Sequence, residues 1–214
     1  MKSKIVLAAL ALGLLSSTAN AATFVTSECK SKTPGCYIVT LKGKIELGDG
    51  QAFHDLAQSR NMTNTLLALD SPGGEFEDGL SIANTVRRYK MQTWVGNGWH
   101  CESMCSVIWL AGSRHFYQGK AKIGFHGIFW LPVDKQGKPI ADAPVPASSG
   151  GNAVLGAFYN QLGLSDAAIR TLTEQPPNKM YWLSKDSAAT LGIHVEEWQP
   201  VVPGTQVDPN VNRS

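Results

Sequence analysis

The sequence carries almost no net charge, which excludes partners that need a strongly basic surface. Its 19 lysine and arginine residues are balanced by 17 aspartate and glutamate residues. Two of the lysines lie in residues 1–21, which contain no acidic side chain, so the rest of the chain is formally neutral. Nucleic-acid-binding proteins usually present a basic face. We therefore expect no nucleic-acid partner.

Long apolar runs are missing from the sequence except near its start. Residues 5–15 are apolar, Lys2 and Lys4 precede them, and Ala19 and Ala21 form a small-x-small cleavage site. The run is too short for an anchor, because spanning a bilayer takes about 20 apolar residues. The pattern predicts a signal peptide over residues 1–21 and a periplasmic or secreted protein without a stable membrane anchor.

The sequence contains no internal repeat, and nothing in it indicates a second core. Residues 22–199 are long enough for one domain with a sizeable core. Residues 133–152 are rich in Pro, Gly, Ala and Ser and predict a mobile surface loop, because too little chain follows them to build another core. Residues 200–214, rich in Pro and Asn, predict a flexible C-terminal tail.

Cysteine is scarce, with four residues in the whole chain. Export places them in an oxidising compartment, where disulfides are the default, and four cysteines allow three pairings. We favour Cys29–Cys36, which encloses a Thr-Pro-Gly turn sequence. This leaves Cys101–Cys105, whose spacing in a helix does not turn the two Cβ atoms towards each other. A bridge there would distort the first helical turn, and two buried free cysteines are the alternative.

Apolar periodicity predicts strands that alternate with helices. The predicted strands are residues 37–41, 65–69, 93–95 and 121–125, with short β-prone segments at 43–50 and 181–183; the predicted helices are 51–59, 75–89, 102–111, 153–162, 165–173 and 184–191. Such alternation predicts a mainly parallel sheet with right-handed crossovers. Active sites in these sheets lie at the carboxyl ends of the strands, which is where Gly73, Ser103 and His126 fall.

These positions hold the residue types that acyl transfer needs, namely a nucleophile, a base and donors for the oxyanion. Ser103 begins a helix, next to the N–H group of Met104. Gly73 and Gly74 lack side chains, so their backbone can approach a substrate carbonyl closely. His126 ends an apolar strand. Each feature alone also has a structural explanation: a helix cap, a turn and a structural histidine.

Three segments together resemble Clp-type serine proteases, members of the Clp-protease/crotonase superfamily. In order and spacing, LDSPGG (69–74), CESMCSVIWLAG (101–112) and IGFHG (123–127) are similar to that family's oxyanion loop, nucleophile segment and histidine strand. The resemblance runs over residues 43–127 and resumes at 181–193. It implies an α/β fold, a ββα superhelix with a mainly parallel sheet. The leader and the Cys-x-Ser-x-Cys pattern resemble a group of periplasmic Clp-protease-like proteins.

By this resemblance the protein is a serine hydrolase. It implies that Ser103 is the nucleophile, that His126 is the general base, and that the N–H groups of Gly74 and Met104, beside Gly73, form the oxyanion hole. Clp proteases form large rings that work with an unfolding ATPase. This sequence, by contrast, has no nucleotide-binding motif. We therefore expect an ATP-independent peptidase that acts on a peptide or a small ester or amide. Homo-oligomerisation is a further expectation from the resemblance.

The sequence departs from the family at two places. Met180 stands where the family has the third, acidic member of its triad, and losing such a residue costs about 10⁴ in rate in other triads. Asn178 is our candidate replacement, with Glu174 a poorer one and a backbone carbonyl another. The second departure is the cysteine pair Cys101 and Cys105 on either side of the nucleophile, which we expect to rigidify that turn when bridged.

Three other functions remain open at this stage. A catalytically degraded protein that binds or scaffolds a partner in the periplasm would explain Met180. A metal site could use His100, Cys101, Cys105, His115 and His126, but His-Cys-x₃-Cys does not match a usual zinc spacing. A thiol oxidoreductase would be expected to have Cys-x-x-Cys. We therefore expect no metal and no cofactor.

Overall fold

The computed structural model describes residues 21–198 except 30–33, 35, 139, 142 and 177. The predicted signal peptide, apart from Ala21, and the predicted C-terminal tail lie outside the described residues. The strands are β1 (Thr23–Glu28), β2 (Tyr37–Lys42), β3 (Leu66–Asp70), β4 (Gln92–Val95), β5 (His100–Glu102), β6 (His115–Tyr117), β7 (Lys122–Phe125), β8 (Tyr181–Trp182) and β9 (Glu196–Glu197). The helices are α1 (Asp49–Arg60), α2 (Phe76–Arg88), α3 (Met104–Leu110), α4 (Ser149–Gln161), α5 (Asp166–Thr173) and α6 (Lys185–Thr190).

The larger sheet has the order β1-β2-β3-β4-β6-β9. All its neighbouring strands are parallel except β1 and β2. The central strand β3 is a continuous apolar run in which Leu67, Ala68 and Leu69 are all buried. Both faces of a parallel strand are covered by the crossover helices, so such a strand needs apolar residues throughout. The predicted α/β fold with a mainly parallel sheet is confirmed.

A second sheet has three strands in the order β5-β7-β8, and Ser103 and His126 directly follow β5 and β7. β5 runs parallel to β7, with Glu102 opposite Gly124, and β8 is antiparallel to β7. No strand was predicted at β5, because three residues are too few to show a period, and the predicted helix began at residue 102. The helix actually begins at Met104.

Residues 133–152 were predicted as a mobile surface loop, and their described part forms no helix or named strand before residue 149, although backbone hydrogen bonds hold it. Trp130 donates its N–H to the carbonyl of Pro146 at 3.0 Å, and Ile140 donates to Pro132 at 2.9 Å, so the chain runs out and back antiparallel to itself. α4 then begins at Ser149, earlier than predicted. The Pro- and Gly-rich composition reflects the turns of this excursion. None of the described helices is long and apolar enough to cross a membrane.

Candidate active site

Ser103 lies at a sharp turn between β5 and α3. Its backbone has φ 55° and ψ −126°, a left-handed conformation that costs a residue with a side chain about 1–3 kcal/mol. Its N–H is fixed by the carbonyl of Gly124 at 3.0 Å. A strained strand–turn–helix serine of this kind presents its hydroxyl outside the turn, as in nucleophile elbows.

The hydroxyl of Ser103 does not cap its helix. Ser148, Ser165 and Ser184 precede α4, α5 and α6, and each accepts a hydrogen bond from a backbone N–H of the helix that it begins. Ser103 makes no such bond and is half-buried. The structural explanation that the sequence left open, a simple helix cap, therefore does not apply to this serine.

The glycine loop after β3 lies directly against this turn. The N–H of Ser71 donates a hydrogen bond to the carbonyl of His100 at 2.8 Å, and the carbonyl of Ser71 accepts one from the N–H of Glu102 at 3.0 Å. Gly73 has φ 86°, and a Cβ atom there would lie 2.7 Å from Ser103 Cβ and 2.8 Å from the nitrogen of Met104. The loop can approach Ser103 this closely because position 73 has no side chain.

Two backbone N–H groups beside Ser103 are available as oxyanion donors. The N–H of Gly73 already donates to Ser71 Oγ at 3.1 Å, so Gly73 shapes the loop and does not serve as a donor. Within the described residues, the N–H groups of Gly74 and Met104 make no hydrogen bond. These are the two groups that the family resemblance assigns to the oxyanion hole, and they flank the serine from the loop and from the helix.

His126 follows β7 immediately, as Ser103 follows β5. Neighbouring strands lie about 4.8 Å apart, so the parallel register of the two strands brings the two residues to the same edge of the small sheet. His126 Nδ1 lies 2.6 Å from the carbonyl oxygen of Gly127. With the proton on Nδ1 donated to that carbonyl, Nε2 is left with a lone pair and can accept a proton.

The partner of His126 is therefore a backbone carbonyl, one of the alternatives that the sequence left open. Met180 packs its thioether against Gly124, where a Cβ atom would lie 2.5 Å from Met180 Cγ. Asn178 is exposed, and in the described structure no hydrogen bond joins it to His126. The candidate role of Asn178 as third member of a triad thus receives no support from the geometry.

The four cysteines form the two favoured pairs, Cys29–Cys36 and Cys101–Cys105. Cys101 lies on β5 and Cys105 is the second residue of α3, and the reversal of the chain at Ser103 brings their Cα atoms to 5.1 Å. The expected distortion of a helical turn does not occur, because Cys101 is not part of the helix. Both cysteines are fully buried, so neither sulfur is free for a metal or for thiol exchange.

An apolar groove of about 440 Å³ lies beside His126. It is lined by Phe129, Leu131, Val145, Pro176 and Asn178. The ring of Phe129 packs on the imidazole of His126, with the centroids 5.3 Å apart. The sequence did not reveal this groove, because its walls come from three separate stretches of the chain that only the fold brings together. Elsewhere in the described part of the chain, no group of three or more His, Cys, Asp or Glu residues is placed to hold a metal ion.

Residues 51–126, which include the glycine loop, Ser103 and His126, match the Clp protease family. A serine-to-alanine mutant of the 1510-N membrane-bound stomatin-specific protease superposes with a TM-score of 0.55 at 16% identity, covering 76% of this chain and 78% of that one. The chain has the Clp-protease fold. A lysine-to-alanine mutant of the same protease, in complex with a substrate peptide, gives a TM-score of 0.53 at 19% identity, covering 76% and 74%.

No curated protein matches the sequence significantly. The family match and the Clp-type neighbours support a serine peptidase. The matched segment ends at His126, so it contains neither the groove walls nor the residues around Asn178.

Proposed function

We propose that the protein is an exported, ATP-independent serine peptidase built on a Ser103–His126 dyad. His126 Nε2 takes the hydroxyl proton as Ser103 Oγ attacks the scissile carbonyl carbon. The carbonyl electron pair moves to its oxygen, which accepts hydrogen bonds from Gly74 and Met104. The tetrahedral intermediate collapses to an acyl-enzyme, and the leaving amine departs with the proton from His126. Water then repeats the attack and releases the second product.

The observation that carries the proposal is the conformation of Ser103. A serine in a strained backbone state, with a hydroxyl that caps nothing, stabilises no part of the fold that we can identify. Strain of this kind clusters at functional sites. Ser103 also lies beside two free N–H donors and at the same sheet edge as a histidine. These neighbours support a catalytic role for the strained serine.

A peptide substrate is supported by two features. The 1510-N protease is described in complex with a substrate peptide, and the groove beside His126 is apolar, which suits an apolar side chain of such a peptide. Export to the periplasm or the medium is supported by the leader pattern of residues 1–21 and by the two disulfides. The absence of a nucleotide motif from the sequence is in line with ATP-independent action.

The test is labelling of the folded protein with a fluorophosphonate, which reacts with activated serines. We expect labelling of the wild type, none for Ser103→Ala, and a loss of about 10³-fold or more in rate for His126→Ala. Ser59→Ala, on the exposed face of α1, is the matched control and should label like the wild type. Folded wild-type protein that does not label would point instead to the binding or scaffold alternative.

A further inference from the structure

Asp49 is a nearly buried carboxylate that forms no ion pair within the described residues. It is the first residue of α1 and 9% exposed. Its Oδ2 accepts the N–H of Glu46 at 2.8 Å and the N–H of Ala22 at 3.2 Å. Across the described residues, no lysine, arginine or histidine forms an ion pair with it. Buried charges in proteins are usually paired.

The nitrogen of Ala22 is the atom that leader cleavage after Ala21 would change. Ala22 is 9% exposed, so this nitrogen is held inside the protein and not at a loose end. The neighbouring Phe24 packs on Phe53 of α1, with ring centroids 5.2 Å apart. The start of β1 is thereby fixed against the first turns of α1, which keeps Ala22 next to Asp49.

We infer that leader removal supplies the missing cation: the new α-ammonium of Ala22 forms an ion pair with Asp49 and orders the oxyanion loop. The inference rests on the exported state proposed above. Hydrolysis of the Ala21–Ala22 bond by a leader peptidase consumes one water, leaving a carboxylate on Ala21 and an amino group on Ala22 that takes up a proton. The existing N–H···O contact becomes a charge-assisted hydrogen bond, which is shorter and stronger than a neutral one.

The pair is connected to the active site through the backbone. Asp49 fixes the N–H of Glu46, and the preceding residue, Ile45, donates to the carbonyl of Gly73 at 2.8 Å. Ile45 also accepts the N–H of Glu75 at 2.9 Å, so it pairs with both sides of Gly74. Gly74 is the loop's proposed oxyanion donor. A firmer anchor for the turn at residues 45–49 therefore restricts the position of that donor.

The charged groups around Ala22 favour a cation. Asp78 of α2 accepts the N–H groups of Gly48 and Gly50, both at 2.9 Å, and brings a second carboxylate close to the start of α1. The nearby Lys44 is bound to Glu46 at 2.8 Å, which leaves Asp49 without help from that lysine. The surroundings of the Ala22 nitrogen are thus net negative before processing and closer to neutral after it.

The test compares chains that differ only at the N-terminus. A fusion partner removed directly before Ala22 gives the free amine, and acetylation confined to the α-amino group, with every lysine left unmodified, gives the same chain without that charge. We expect acetylation to lower the folding equilibrium constant by about tenfold and to slow fluorophosphonate labelling. Asp49→Asn should abolish both differences in a double-mutant cycle. Asp55→Asn, exposed on the same helix, is the matched control and should leave them intact.

The pH dependence gives a second readout. The ion pair with Asp49 needs the protonated amine, so its stabilisation is present at neutral pH, where an α-amino group largely carries its proton. It is lost as the pH rises above about 8, where an ordinary α-amino group loses its proton. Only the free-amine chain should show this alkaline decline in stability and labelling.

Three outcomes would overturn the inference. The first is equal unfolding free energies for the free and acetylated chains, and the second is a difference that survives Asp49→Asn. The third is an N-terminus other than Ala22 on the exported protein. If no form labels but the unfolding difference persists, the proposed peptidase function fails while the ion pair stands.

Discussion

At the residue scale, the contact between the glycine loop after β3 and the turn at Ser103 depends on the absence of a side chain at position 73. Gly73 touches the turn at Ser103 where a Cβ atom would lie 2.6 Å from the carbonyl oxygen of Glu102. Backbone atoms cannot give way as a flexible side chain can. Any side chain at position 73 must therefore push the loop and the turn apart.

Gly73→Ala should abolish activity while the protein remains folded. The clash displaces Met104 N–H and Ser103 together, and a misplacement of about 1 Å can cost about 10²-fold in rate. The measurements are the fluorophosphonate labelling rate and urea unfolding. Gly98→Ala is the matched control: Gly98 also has positive φ, 76°, but a Cβ there meets nothing within 4 Å. Equal labelling rates for the two variants would contradict the close approach.

Single residues also show where the sequence was informative. Ser103, His126 and the glycine pair could be named because their order and spacing match a known family. The partner of His126 could not, because it is the carbonyl of Gly127 and every residue has a carbonyl. Gly74 and Met104 were named as oxyanion donors from the resemblance, and the coordinates add that the N–H of Gly73 is already bonded to Ser71.

At the scale of elements, the Cys101–Cys105 bridge joins β5 to α3 across the strained serine. Reduction would leave Ser103 free to relax from its left-handed conformation and to carry Met104 N–H with it. The bridge is thus placed to hold Ser103 and the N–H group of Met104 in one arrangement. This is how a Cys101–Cys105 bridge would make the turn at Ser103 rigid, as the cysteine pattern led us to expect.

Replacing both cysteines, Cys101→Ala with Cys105→Ala, should lower kcat with little change in KM. The matched control is Cys29→Ala with Cys36→Ala. The two bridges join residues 4 and 7 positions apart, and loops this short stabilise by about 2 kcal/mol each in the chain-entropy model. Both pairs of substitutions should therefore lower Tm similarly, but only the first should slow labelling. A parallel loss of activity in both would show that the bridge acts through stability alone.

The elements that the sequence missed are the short or polar ones. β5, β6 and β9 have three residues or fewer, and β1 carries polar side chains on an edge strand. These strands form because of the strands with which they pair, and their own sequences are too short or too polar to show an apolar period. The long helices α1 and α2 and the apolar strand β3 were predicted within a few residues, because their burial imposes a regular pattern.

At the scale of the whole molecule, His115 joins the end of α3 to a segment 79 positions further along the chain. Its Nε2 lies 2.8 Å from the carbonyl of Leu110 at the end of α3, and its Nδ1 lies 3.2 Å from the carbonyl of His194 before β9. Burial lowers the pKa of His115 below its ordinary value of 6.5, although the two carbonyls oppose this shift. The folded protein therefore takes up the proton less readily than the unfolded chain.

Stability should fall as the pH drops below about 6.5, because the unfolded chain then binds a proton that His115 in the fold resists. Nearby Arg114 and Glu196 add to this at lower pH, since hydrogen bonding to Arg114 lowers the pKa of Glu196. His115→Phe keeps a ring against Trp109 and removes the titration. Urea unfolding between pH 5 and about 8 should show a weaker pH dependence for this variant. An unchanged slope would contradict the assignment.

The backbone carbonyl beside His126 changes what substitution can do to this site. In a side-chain triad, a single codon change removes the group that orients the imidazole. Here the orienting oxygen belongs to Gly127, whose N–H is in turn held by the carbonyl of Gln175 at 3.0 Å. The orientation of the imidazole is thus determined by the course of the backbone and not by a single side chain. The orientation of this histidine therefore does not require an acidic residue at position 180, where the sequence has methionine.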